Sequence, residues 1–522
     1  MRRIPTIPLA VALIVLSSPS RGQLQPVNPD SALLSILAQF EGTRLSLQDA
    51  IQHALTNATS VRSTEAAYMA ARGSVRREAG SFDPELFFSL HYFDNNQPTA
   101  SFFAGAAVLN TTQTTGSAGV RWESPIGTSI EASLNGVRLN TNSSFAFLNP
   151  QYTTLGILSL RQPLLGGFSV SARKELTRAE QEMEAAKARY DQEVLAIETQ
   201  VEQSYWDLYA AERDYAVQKL TRDRGEAFLK DTEVRARTGL IGPNQVANAR
   251  TFLAEQEILL LDREEQLERL SDGLASLIGT RPDPGKHRFI TVDTPPGEFT
   301  LEEADTLVAR AVQHNLQLQA ARADVEAIRA LSGAAFWEAL PRVDLVGSLG
   351  GNGLTGTAQN IVFGGDTLRT TVGGGFNDAL RQAVRREFPL WSVGVEVSVP
   401  IGLRSGLGEK DRLEANVVIA EQEYIRQARL LEEQVRVSYQ ELLNGTRRLK
   451  AAREGVDAAQ EQVRIGLIEF RNGRSTAFEL VRLGTDFAVA QQRYTQALVR
   501  GAKAAASLRQ LTSGTYPGTP SR

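Results

Sequence analysis

Two stretches of this chain, from about Ser169 to Arg237 and from about Gly408 to Asn472, contain no proline. In the first, Val194, Ile197, Val201, Tyr205, Leu208, Ala211 and Tyr215 step by three and four, as the packed face of a helix does. At about 1.5 Å per residue, some 65 to 70 helical residues make a rod of roughly 100 Å. A compact globule has no room for such a rod, so the fold must be elongated.

The two stretches are copies of each other. Val201, Ser204, Tyr205, Asp207 and Leu208 reappear 234 residues on as Val435, Ser438, Tyr439, Glu441 and Leu442, and the same offset carries Gly239 onto Gly473. Upstream, Asp83-Pro84-Glu85-Leu86 parallels Leu340-Pro341-Arg342-Val343, and Arg161-Gln162-Pro163-Leu164 parallels Ser398-Val399-Pro400-Ile401. An internal repeat of this size sets the architecture. The halves meet near the Pro/Gly-rich segment from Arg281–Gly285 to Pro295–Gly297, which gives a first repeat over 23–285 and a second over 286–513.

Each half reads as helix, strands, long helix, shorter helix. Helical patterns cover Leu47 to about Gly80 and Leu301 to about Leu340, and recur after each glycine turn at Pro243–Ile278 and Ser475–Leu511. These helices have about half the length of the long ones. Two stacked end to end match one long helix, which predicts a cylinder wall. Trp391, Val393, Val395, Val397 and Val399 alternate with polar or small residues, a strand period of two. Further strands are expected at Leu86–Phe93, Ser117–Trp122, Ser129–Leu134, Leu155–Leu160 and Val343–Leu349, with a loop over Gly350–Phe376. One apolar and one polar face suit a wall between lipid and water. So few strands cannot close a barrel from one copy, and open edges are not tolerated in lipid, so membrane-embedded strands require several copies sharing one barrel.

Composition removes other classes. Cysteine is absent, excluding disulfides, thiolate metal sites and a lipidated N-terminal cysteine. With 56 basic and 60 acidic residues, the formal charge of −4 argues against nucleic acid as a partner. His53, His91, His287 and His314 are scattered, so no histidine metal site is expected. No run reaches the ~18 apolar residues of a transmembrane helix. Arg2 and Arg3, the apolar Ile7–Leu16 and the small-residue exit Ser20–Gly22 read as a signal peptide over 1–22, cleaved before Gln23. An exported chain without disulfides suggests a bacterial envelope. The tail 514–522, rich in Thr, Pro and Ser, is expected to be disordered.

Taken in order, the duplication, the Leu158–Leu164 strand-to-helix junction, and the Gly473–Leu480 turn followed by Ala488, Ala490 and Tyr494 resemble the TolC-like outer-membrane efflux proteins of Gram-negative bacteria. The resemblance runs from Leu45 to about Gly514. It implies an α+β membrane protein: a homotrimer whose strands share one twelve-stranded β-barrel in the outer-membrane lipid, continued by a long α-helical barrel in the periplasm. It also implies a passive exit duct that serves an inner-membrane pump through a periplasmic adaptor protein, with no enzymatic chemistry and no cofactor. Cargo in such systems ranges from drugs and metal ions to secreted proteins.

The resemblance further implies that adaptors dock at the two helix-to-helix turns, here Gly239, Leu240 and Ile241, and Gly473, Arg474 and Ser475. Glycine at these turns also has a plain role, supplying the positive φ that ends a helix. Ser475 or Thr476 is the expected N-cap of the next helix. Glu479 falls where relatives place a first acid of the periplasmic gate, and Arg482 where a second acid can stand. Asn244 and Gln245 take the polar positions of the first turn. The arginine is a departure: in place of a double ring of carboxylates it suggests a gate of paired Glu479 and Arg482. The rival reading is a periplasmic coiled-coil structural or adaptor protein without a pore. Strands placed between helices, twice, favour the duct.

Overall fold

The computed structural model describes residues 29–299, 302–472 and 474–516; the expected signal peptide, Gly473 and residues 517–522 lie outside them. The first half opens with α1 (Pro29–Ala38), β1 (Thr43–Leu45), α2 (Leu47–Asn57) and α3 (Thr59–Ala79). Four strands follow: β2 (Glu85–Pro98), β3 (Val108–Glu123), β4 (Ser129–Thr141) and β5 (Leu148–Pro163). The short α4 (Ser169–Ala172), the long α5 (Lys174–Arg237) and α6 (Pro243–Ile278) complete it. The second half starts with β6 (Phe289–Thr291), α7 (Ala304–His314), α8 (Leu316–Glu338) and β7 (Arg342–Ala358). After it come the hairpin β8 (Ile361–Phe363) and β9 (Asp366–Leu368), then α9 (Phe376–Arg385), β10 (Phe388–Ser398), α10 (Arg404–Arg471) and α11 (Ala477–Leu511).

The long helices hold 64 and 68 residues, the returning ones 36 and 35. The helix expected over Leu47–Gly80 is interrupted at Ala58, and that over Leu301–Leu340 at Asn315, both with an extended ψ near 122–123°. Asn315 caps the new helix by accepting from Leu318 N–H. These interruptions seat the half-length helices end to end. Asn57 Nδ2 donates to Ile278 O at 3.2 Å, so α6 abuts α3. Asn315 Nδ2 donates to Leu511 O at 3.0 Å and Leu316 N–H to Ser513 Oγ at 3.1 Å, so α11 abuts α8. Each half therefore supplies two full-length wall elements, one continuous and one jointed.

Around the joints lie two hydrophobic clusters. The first gathers Val201, Tyr205, Leu208, Leu267, Leu274 and Ile278, the second Leu431, Val435, Leu442, Leu508 and Tyr516. Val201 and Leu208 are the duplicates of Val435 and Leu442, so the repeat preserves the core as well as the helices. Tyr516 is fully buried, so the start of the expected disordered tail is packed. A two-stranded parallel ladder, β1 with β6, hangs on α5. There the Tyr205 hydroxyl donates to Leu45 O (2.9 Å) and accepts from Val292 N–H (3.0 Å), while Glu212 accepts from Thr291 N–H (2.8 Å) and Oγ1–H (2.6 Å).

At one end the helices give way to a six-stranded antiparallel sheet, in the order β10-β7-β5-β4-β3-β2. Twelve strands shared by three chains would need four from each, so the twelve-strand expectation does not match this chain. The register places Leu86, Phe88, Leu90, Val120, Trp122, Leu158, Leu160, Leu345, Leu349, Trp391, Val393, Val395 and Val397 on one face, all exposed. Ser89, Ser117, Ser133, Ser159, Ser348 and Ser392 lie on the other.

The loop expected over Gly350–Phe376 is largely ordered: β7 continues to Ala358 and β8–β9 form a hairpin. The glycines that suggested a loop are a packing requirement. Helix α9 lies on the apolar face, where a Cβ at Gly351 or Gly353 would collide with the carbonyl oxygens of Ala383 and Ala379. Thr154 donates to the same Ala379 carbonyl at 2.7 Å.

Candidate functional site

The two turns between helices close in the same way, far from the sheet. At the first, Gly239 N–H donates to Ala236 O and Leu240 N–H to Arg235 O, both at 3.0 Å. Gly239 has φ of 75° and open space around it, so glycine serves the backbone there and leaves the tip bare. Leu240 is 75% exposed and Ile241 half-buried. Pro243 opens α6 as its first residue, a position that needs no N–H, with Gly242 as N-cap. Asn244 and Gln245 therefore sit exposed in the first helical turn.

At the second turn, Arg474 N–H donates to Glu469 O at 2.9 Å, the same five-residue span as Leu240 to Arg235. Thr476, not Ser475, is the N-cap, accepting from Glu479 N–H at 3.2 Å. Glu479 stands in the first turn of α11, where the helix dipole favours an acid. Arg482 Nη2 reaches Glu479 Oε1 at 2.9 Å within the chain. Both side chains are well exposed here, so the pair contributes only about 0–1 kcal/mol to a single chain.

Behind the tips, α5 and α11 are joined by contacts the sequence did not reveal. Phe228 and Phe478 meet with ring centroids 6.0 Å apart, and Arg224 Nη1 donates to Gly484 O at 3.1 Å. Burial lowers the Arg224 pKa. Burial likewise pushes Glu212, at the β1–β6 ladder, up to about 7, against the opposing effect of its bonds from Thr291.

A second site lies where strands meet helices. On the polar face, Arg121 lies between Glu131 (3.1 Å) and Glu85 (3.7 Å), and Arg161 between Asp344 (2.7 Å) and Glu396 (2.9 Å). This charged row crosses strands β2, β3, β4, β5, β7 and β10. Its sequence signal was available: each member sits near a strand end, one residue out of phase with the apolar positions.

No described helix is long and apolar enough to cross a membrane. The surface suited to lipid is the sheet's apolar face, with a charged row behind it and a helical wall about 100 Å long below. That combination defines a subunit of an outer-membrane channel. The sequence matches the outer membrane efflux protein model over residues 50–280 and 307–514, and the chain belongs to that family. The fold is shared with the outer membrane protein VceC of Vibrio cholerae, at 16% identity and TM-score 0.59, covering 91% of this chain and 96% of that one. It is shared equally with CusC, a protein described with its transmembrane channel formation, at 12% identity and TM-score 0.62, covering 91% and 94%. The open-state MtrE channel of Neisseria gonorrhoeae matches at 16% identity and TM-score 0.59, covering 92% of each chain. No protein of curated function matches the sequence.

Proposed function

We propose that this outer-membrane efflux protein works as the exit duct of a trans-envelope assembly. Three copies form the channel, the helical wall extends into the periplasm, and its tips receive a periplasmic adaptor that couples it to an inner-membrane pump. One observation carries this reading: a two-faced sheet and two turns closed by the same five-residue hydrogen bond occupy opposite ends of one chain. A periplasmic adaptor or scaffold would have no use for a broad exposed apolar sheet, which in water is an aggregation surface.

In this reading Gly239, Leu240, Ile241, Gly473, Arg474 and Ser475 are the docking turns. Glu479 and Arg482, with Asn244 and Gln245 opposite, line the aperture that closes the duct. The tight turns support docking because the open space around Gly239 lets a partner hairpin approach the backbone closely, beside the exposed Leu240. Cargo selection lies with the pump, since a passive wall need not bind what passes it. The test is photo-crosslinking from a photoreactive residue at Ser475 in cells that express the pump, with captured proteins identified by mass spectrometry. A periplasmic adaptor in the crosslinked product is the expected result. Self-crosslinks alone would remove the docking role from that turn.

A further inference from the structure

The number of strands in the sheet bears on how wide the membrane passage is. By the internal repeat, β2 corresponds to β7 and β5 to β10, because Asp83–Leu86 parallels Leu340–Val343 and Arg161–Leu164 parallels Ser398–Ile401. The second-half pair, β7 and β10, are direct neighbours. The first-half pair are not: the hairpin β3–β4 stands between β2 and β5. It extends the sheet from four strands to six and carries both faces with it, Val120 and Trp122 on the apolar side and Arg121 and Glu131 on the polar side.

The sheet ends in two unprotected edges, the 14-residue β2 and the 11-residue β10. Both show apolar residues on the same face, Leu86, Phe88 and Leu90 on one, Val393, Val395 and Val397 on the other. Six is an even number, so in an all-antiparallel sheet the two edges run in opposite directions. The β2 edge of one copy can therefore pair antiparallel with the β10 edge of the next, faces matched, and a ring of copies closes without a mismatch. In lipid such edges must be paired.

We infer that the partner at both edges is a second copy of this chain, and that three copies close an eighteen-stranded barrel whose passage is as wide as the helical tunnel below it. The inference rests on the three-copy reading above. Strands about 4.8 Å apart and tilted by ~40° give eighteen strands a perimeter of about 110 Å, and twelve strands about 75 Å. Each chain contributes four full-length wall elements: α5, α10, α6 with α3, and α11 with α8. Twelve helices spaced roughly 8–10 Å apart have a perimeter of roughly 95–120 Å. The eighteen-stranded wall continues the helical wall at equal girth, whereas a twelve-stranded one would have to taper. Cargo that fits the tunnel thus meets no second constriction in the membrane.

The natural absence of cysteine makes the test direct. Ser392→Cys on β10 is combined in turn with Phe87→Cys, Ser89→Cys or His91→Cys on the same face of β2, and the full-length protein is oxidised in outer membranes. The expected result, from at least one pair, is a covalent species of three chain masses, absent from each single variant. A separate pair, Ser89→Cys with Ser159→Cys, probes whether β2 lies against β5. If that pair links within a chain while the native mass stays at three chains, the hairpin lies outside the barrel and the eighteen-strand inference fails, the trimeric duct surviving. If the native mass corresponds to two chains, the three-copy reading itself fails. If no β2–β10 pair links between chains, the edges do not meet and the inference is overturned.

Discussion

The two halves solve the same interval differently. Between its paired strands the first half carries a hairpin that enters the sheet; the second carries a small hairpin and a helix that lies on the sheet's apolar face. Elsewhere the copies agree closely, from the core pairs Val201/Val435 and Leu208/Leu442 to the hydrogen bonds closing each tip. Helices that line one wall must match in length and in the spacing of their contacts, so a change in one copy disturbs its neighbours. A connection at the open end of a sheet has no such constraint. The duplicated frame is therefore held where elements pack side by side and released where the chain merely turns back.

The largest test of this equivalence is a charge on the apolar face. Leu158 and Val395 are counterparts in β5 and β10, 45% and 61% exposed on the same face. Leu158→Lys and Val395→Lys should each destabilise the assembled channel, by up to the about 2–4 kcal/mol that a lysine costs at mid-membrane depth, read as lost heat-resistant oligomer on gels. Normal assembly of either variant would show that its half does not face lipid.

A smaller effect should belong to the first half alone. Glu212 has Thr446 as its counterpart, so the buried carboxyl at the equatorial ladder is not duplicated. Because burial raises it to about 7, the folded chain keeps a proton there that the unfolded chain releases near pH 4.5. The stability linked to that proton is complete below about pH 4.5 and is withdrawn as pH rises through 7, by at most roughly 3 kcal/mol. Thermal melts of purified channel at pH 5 and 8 should show the wild type losing ground to Glu212→Gln. Parallel shifts in both proteins would separate Glu212 from the effect.

The smallest change in stability should accompany a change in conduction. Gln245 in the first tip occupies the place of Glu479 in the second, so only one tip carries the ion pair with Arg482. Alanine at both Glu479 and Arg482 should raise single-channel conductance in planar bilayers with little loss of stability. Gln245→Ala should leave conductance where it was. Equal responses from the two tips would mean that the gate does not depend on this pair.

Much of the frame was legible because it is periodic. Long proline-free runs, a fixed offset and alternation in strands are properties of spacing, and spacing is what a sequence displays directly. The breaks at Ala58 and Asn315 were missed because one extended residue hardly disturbs an apolar period, though Asn315 is a good capping residue. Strand β7 looked like a loop beyond Leu349 because its glycines make room for α9, a tertiary reason with no local signature. The charged row escaped because it depends on register across six strands, and the burial of Tyr516 because a packed aromatic in a polar tail is visible only once its cluster forms.

The end-to-end joints have a mechanical consequence. Helices α5 and α10 are covalently continuous along the whole wall, while α6 with α3 and α11 with α8 meet without a covalent link, through hydrogen bonds from Asn57, Asn315 and Leu316 and the hydrophobic clusters around the joints. Such a joint bears compression but little tension. A pull at the tips is therefore carried to the sheet by two springs per chain, and relative slip between the upper and lower wall concentrates at the equator, in the plane of the β1–β6 ladder.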